Sequence, residues 1–95
     1  MPEEKVSMPR GGPRLRGENG ELNMVGARVR EKRESLGLTR DQLAARLAAE
    51  TNGAWNPSVD ETYNLEAKIR TVTDYELVIL AKVLNTTVTW LMDLE

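Results

Sequence analysis

From about residue 24 onward, apolar residues recur at spacings of three and four, the period of a helix with one face on a core. Five segments carry the pattern. The first runs from about Met24 to Leu36, with Val25, Val29 and Leu36 inward. The second runs from Arg40 to about Glu50, with Leu43, Ala44, Leu47 and Ala48 on one face. The third, from Val59 to about Ala67, turns Thr62, Leu65 and Ile69 inward, and the fourth, from Asp74 to Leu84, turns in Leu77, Leu80, Ala81 and Leu84. A short fifth helix from Val88 to about Asp93 buries Leu91. No segment of useful length alternates with the period of a strand, and no internal repeat is evident. The expected fold class is all-α, a compact five-helix domain spanning residues 23–95.

Local chemistry sharpens the boundaries. A capping box pairs Ser or Thr at the N-cap with Glu or Gln three residues later, each satisfying a backbone N–H of the other. Thr39 with Gln42, Ser58 with Glu61, and Thr73 with Glu76 all fit, and each precedes helix-spaced apolar residues. Gly37 is expected to stop the first helix and Asn52-Gly53 the second, while Asn85 suits a left-handed cap after the fourth. Residues 1–22 read differently. They hold three of the four prolines and four of the seven glycines, with no apolar period. Such a stretch buries too little surface to offset chain entropy, so it is expected to be a flexible arm, and Met8 or Met24 is an alternative start.

Composition then narrows the chemistry. A length of 95 residues allows one domain, and only four aromatic side chains are present, so the core must be aliphatic. The chain has no Cys and no His, which removes disulfides, thiol nucleophiles, Cys/His zinc sites and imidazole acid–base catalysis. The acidic residues show no metal-ligand spacing, and no nucleophile has a partnered base. The glycines at Gly11 and Gly12 neither follow a strand nor open a helix, so they make no phosphate loop. No enzyme activity, cofactor or metal is expected. With no apolar run long enough for a membrane span and no signal-like start, the chain reads as cytoplasmic.

The formal net charge is -2, but its distribution is polarised. Arg28, Arg30, Lys32, Arg33 and Arg40 outnumber Glu31 and Glu34 early in the chain, whereas Asp74, Glu76, Asp93 and Glu95 outnumber Lys82 near its end. A second helix, a connection and a capped third helix inside a compact helical set make a helix-turn-helix arrangement. In that motif the later helix enters the major groove of double-stranded DNA.

Two stretches carry a resemblance. VGARVREKRESLGLTRDQLAARL is similar to the first two helices of the Xre/Cro-repressor-like helix-turn-helix family (the lambda-repressor-like DNA-binding domain), and YNLEAKIRTVTDYELVILAKVLNTTVTWLM is similar to its third to fifth helices. The similarity covers about Met24 to Met92, with a connection between helices 2 and 3 longer than the family pattern by about eight residues, so that either helix 2 is longer or a loop from Thr51 to Pro57 bulges out. The resemblance implies a sequence-specific, repressor-like transcription regulator that binds DNA as a homodimer. By position it implies that Arg40 touches backbone phosphate, that Val59, Asp60 and Asn64 face bases, and that Lys68, Arg70 and Thr71 clamp phosphate. Asn64 suits a bidentate pair with adenine, and Asp60 suits the cytosine amino group. Arg33 and Glu66 match a structural ion pair between helices 1 and 3.

Other residues leave two readings open. Arg28, Arg30 and Lys32 either face phosphates or form a solvated face. Trp55 either meets a protein partner or packs over the junction of helices 2 and 3. Trp90 is core or part of a dimer interface. Tyr63 contacts sugar–phosphate or packs on the long connection. Arg10, Arg14 and Arg16 either enter the minor groove or lie in plain disorder. The acidic start of helix 3, at Asp60 and Glu61, motivates an alternative function: a protein–protein interaction module of the same fold that has lost DNA reading.

Overall fold

Each of the three capping boxes opens a helix. In the computed structural model, which describes residues 15–95, Thr39, Ser58 and Thr73 each accept a hydrogen bond from the backbone N–H three residues on. Gln42, Glu61 and Glu76 in turn accept the reciprocal bond from the cap residue's N–H. The helices are α1 (Gly26–Ser35), α2 (Arg40–Glu50), α3 (Val59–Glu66), α4 (Asp74–Val83) and α5 (Val88–Leu91). The described residues contain no strand, and the all-α, five-helix class holds. None of these helices is long and apolar enough to cross a membrane.

Val25, Val29, Leu43, Leu47, Leu65, Leu80, Ala81, Leu84 and Leu91 form one buried aliphatic cluster. α2 packs against α3 and α4, α1 against α3 and α5, and α4 against α5. Among the described residues every buried side-chain nitrogen and oxygen has a hydrogen-bond partner. Thr62, expected inward, is buried and donates its hydroxyl to the Ser58 carbonyl.

Two expected core residues are outside, for one reason. α1 stops at Ser35, and Gly37 takes φ +72°. The Leu38 N–H then bonds back to the Arg33 carbonyl and the Gly37 N–H to the Glu34 carbonyl, the pairing of a Schellman turn. That turn drives Leu38 into the core and leaves Leu36 42% exposed. α3 ends the same way. Lys68 adopts φ +66°, Ile69 bonds back to Asn64, and Ile69 is left 59% exposed. A helical period predicts a residue's side only while the helix lasts. Asn52, Gly53 and Asn85 take the left-handed conformations expected at the ends of α2 and α4.

The connection between α2 and α3 folds back on its own helix. The Thr51 hydroxyl donates to the Leu47 carbonyl and accepts the Trp55 N–H, both at 2.9 Å. Trp55 is half-buried against the core and Pro57 is buried. Trp55 packs over the junction of α2 and α3.

Asn23 ties the start of α1 to the end of α3. Its Oδ1 accepts the N–H groups of Val25 and Gly26, and its Nδ2 donates to the carbonyls of Leu65 and Arg70. Gly26 sits in the same contact. A Cβ there would lie 2.5 Å from the Leu65 oxygen and 2.6 Å from the Glu66 oxygen, so only glycine lets α1 approach this closely. The segment before α1 is also tethered: Gly17 and Glu21 close a turn, and the Leu22 N–H donates to the Lys68 carbonyl. The rest of the expected arm, with Arg10 and Arg14, lies outside the described residues.

Candidate nucleic-acid interface

α3 divides cleanly into two faces. Thr62, Leu65 and Glu66 are buried, while Val59, Asp60, Glu61 and Tyr63 are exposed and Asn64 is half-exposed. Val59 with Tyr63, and Asp60 with Asn64, are each one helical turn apart, so the four share one outer stripe. Glu61 is occupied by its capping box with Ser58. Among the described residues neither the Asp60 carboxylate nor the Asn64 side-chain amide has a hydrogen-bond partner, so both are available to an incoming ligand. Because Trp55 and Pro57 turn inward, the connection leaves this stripe uncovered.

The back of α3 is locked by charge. The Glu66 carboxylate receives two bonds from Arg33, Nε at 2.7 Å and one terminal nitrogen at 3.1 Å. The other terminal nitrogen of Arg33 donates to the Leu38 carbonyl at 2.7 Å. The hydrogen bond to Glu66 holds the Arg33 guanidinium above its ordinary value, against the opposing effect of burial. Arg33 and Glu66 therefore pin α3 to α1 and to the turn after it.

Arg40 joins this cluster. Its Nε lies 3.1 Å from Glu66, and its guanidinium sits 5.2 Å from the centre of the Tyr63 ring. The Arg40 side chain remains about one-third exposed, at 32%. The resemblance assigns it to phosphate alone; here it also bridges α2 to α3. Arg70 is likewise engaged, with both terminal nitrogens on the Glu76 carboxylate at 3.0 and 3.3 Å and its guanidinium 6.0 Å over Trp55. Glu76 thus serves its own capping box and Arg70 together. Lys68 has no carboxylate within ion-pair distance among the described residues, and Thr71 is exposed. Arg40, Lys68, Arg70 and Thr71 flank α3, the first at the start of α2 and the other three just after α3.

The early basic residues mostly meet partners elsewhere. Arg28 pairs with Asp93 and stacks 4.4 Å from the Trp90 ring, and Lys32 lies 5.6 Å from the same ring. Arg30 pairs with Glu34 one turn on. Trp90, half-buried on the core, is therefore a cation-flanked packing residue. Sequence reasoning missed Asn23, the second role of Arg40, and the Arg70–Glu76 pair. An Asn three residues ahead of the first helical residue was a usable sign for the first. The two ion pairs join different elements and left no local sign.

No protein-family model matches the chain, and no curated protein and no solved structure is detectably similar to it.

Proposed function

We propose that this chain is a repressor-like helix-turn-helix domain that binds double-stranded DNA sequence-specifically, with α3 in the major groove. The observation that carries the reading is the split character of α3: its back is pinned by a buried ion cluster while its front stripe stands open with unused polar groups. A helix that reads bases needs both properties, a fixed orientation and a free face. The similarity of residues 24–92 to the Xre/Cro-repressor-like pattern supports the same conclusion. Asn64 offers adenine a donor and an acceptor together, and Asp60 accepts from the cytosine amino group.

Phosphate contacts fall to the flanks. Lys68 and the Thr71 hydroxyl follow α3, and Arg40 starts α2, where the helix N-terminus itself favours an anion. Arg40 is free to leave Glu66 because Arg33 alone keeps that carboxylate paired through two bonds. Arg70 is held by two bonds to Glu76, so it is a weaker candidate for phosphate than Lys68 or Arg40. A two-fold homodimer on a paired site is the usual route from one small module to useful affinity.

The test is a titration of labelled duplex DNA at several salt concentrations. Log affinity should fall linearly with log salt, with a slope of about -4 when Arg40 and Lys68 of both protomers neutralise four phosphates. Lys68→Ala should shallow that slope by roughly two contacts, one per protomer. A folded protein with no detectable binding at low salt refutes the reading.

A second reading is favoured by one specific observation. Arg40 and Arg70, assigned to phosphate, both sit on carboxylates, and the open stripe presents Asp60. A protein-binding module of the same fold would use instead the shallow apolar hollow lined by Ala54, Trp55, Tyr75 and Ile79. Tyr75, 84% exposed, is the residue to change there. Loss of a defined protein partner on Tyr75→Ala, in a chain that binds no duplex, would establish this second reading.

A further inference from the structure

We propose that the open stripe of α3 reads thymine methyl groups through Val59 and Tyr63 and base amino groups through Asp60 and Asn64, leaving the guanine acceptors unread. This rests on the DNA-binding reading above and specifies which base features that reading requires.

The eight residues of α3, VDETYNLE, include no Arg and no Lys. The commonest specific base contact, an Arg or Lys on guanine O6 and N7, therefore has no donor on the helix itself. The nearest cation, Arg40, stands on α2, beside Glu66 and the Tyr63 ring, and its proposed partner is backbone phosphate, not a base. What the stripe does present is complementary to other groups. Asp60, ionised, only accepts, so it is attracted by cytosine N4–H and adenine N6–H and repelled by guanine O6, guanine N7 and thymine O4. Its position in the first turn of α3 suits a negative charge. Asn64 adds the donor–acceptor pair that matches adenine.

The apolar half of the stripe lies outside the buried core cluster. Val59 is 43% exposed and Tyr63 is 51% exposed, on a helix whose packing is supplied by Thr62 and Leu65. In the major groove the one exposed apolar group is the thymine methyl. An Arg40 guanidinium that turns to phosphate leaves the Tyr63 ring, 5.2 Å from it in the free chain, uncovered for such a contact. The site that fits is rich in adenine and thymine, with a cytosine amino group opposite Asp60.

The experiment has two stages with the full 95-residue chain. A random duplex pool is first enriched for binding. Each thymine of the selected site is then replaced singly by deoxyuridine, which removes only the methyl group. One or more positions should lose roughly fourfold in affinity, the value of one buried methyl. That loss should vanish in Val59→Ala or Tyr63→Ala, both surface changes whose folding is checked by circular dichroism. Asp60→Asn should relax the cytosine requirement. Enrichment of a site that tolerates deoxyuridine everywhere, or of one built on runs of guanine on the strand facing α3, overturns this inference and leaves DNA binding intact. Failure of the folded chain to enrich any sequence, with no binding at low salt, overturns both.

Discussion

Replacing Arg33 with alanine removes the centre of the cluster that orients α3. Three hydrogen bonds go at once, two to Glu66 and one to the Leu38 carbonyl. The Glu66 side chain is only 2% exposed, so its charge cannot turn to water. Breaking a buried ion pair from one side costs about 3–5 kcal/mol. Arg40 stays on Glu66 and softens that figure, while the orphaned Leu38 carbonyl adds about 1 kcal/mol. The expected loss is therefore about 4 kcal/mol, a large part of the roughly 4–12 kcal/mol available to a domain of this size. The melting temperature should fall by at least about 15 °C. Arg40→Ala is the internal control. Arg40 is part-exposed and leaves Glu66 doubly bonded, so its loss should cost about 1 kcal/mol. The double change Arg33→Met with Glu66→Met replaces the pair by apolar volume and should recover stability to within about 2 kcal/mol of the parent. Urea unfolding followed by far-ultraviolet circular dichroism measures all three. If Arg33→Ala costs no more than Arg40→Ala, the cluster does not carry the load assigned to it here.

Gly26→Ala gains helix propensity of about 1 kcal/mol in isolation, yet it should destabilise the protein. Its methyl would meet the Leu65 and Glu66 backbone oxygens inside 3 Å, and forcing apart packed backbones costs about 1–3 kcal/mol or more; a higher urea midpoint for this variant would refute the close contact. Glu95 carries a pH signature. Hydroxyl bonds from Thr87 and then Thr89 hold its carboxyl below the ordinary glutamate range. Because the folded value lies below the unfolded one, its contribution to stability is present above the ordinary value and is lost as pH falls through the folded value. A carbon-13 NMR titration should place the Glu95 midpoint below that of an exposed glutamate, and Thr89→Val should raise it; an ordinary midpoint in both proteins would show that the hydroxyl bonds do not form in solution.

What could be read from the chain alone was whatever depends on neighbours within about four residues. The Thr39–Gln42, Ser58–Glu61 and Thr73–Glu76 boxes close within one turn, so each was visible as a spacing, and each begins a helix. The left-handed stops at Gly37, Gly53 and Asn85 are local in the same sense. Helical period likewise identified Val29, Leu43, Leu47, Leu80 and Leu84, because a helix repeats its own geometry. Leu36 and Ile69 mark the limit of that information. Both lie at or beyond the last turn of a helix, where a reversal of the backbone reassigns sides.

Apart from the Arg33–Glu66 pair, which the family resemblance implied, packing decided what joins one element to another. Arg40 meets Glu66 across 26 residues, Asn23 meets Arg70 across 47, and Gly26 is indispensable only because the end of α3 comes to rest against it. An ion pair between elements has no periodicity to betray it. Its partners are set by which faces bury together, a property of the whole core and not of either segment. The state of the α3 stripe is of the same kind. Sequence placed Val59, Asp60, Tyr63 and Asn64 along one helix, but their openness follows from Trp55 and Pro57 turning inward and from Arg33 and Arg40 gripping Glu66 behind them.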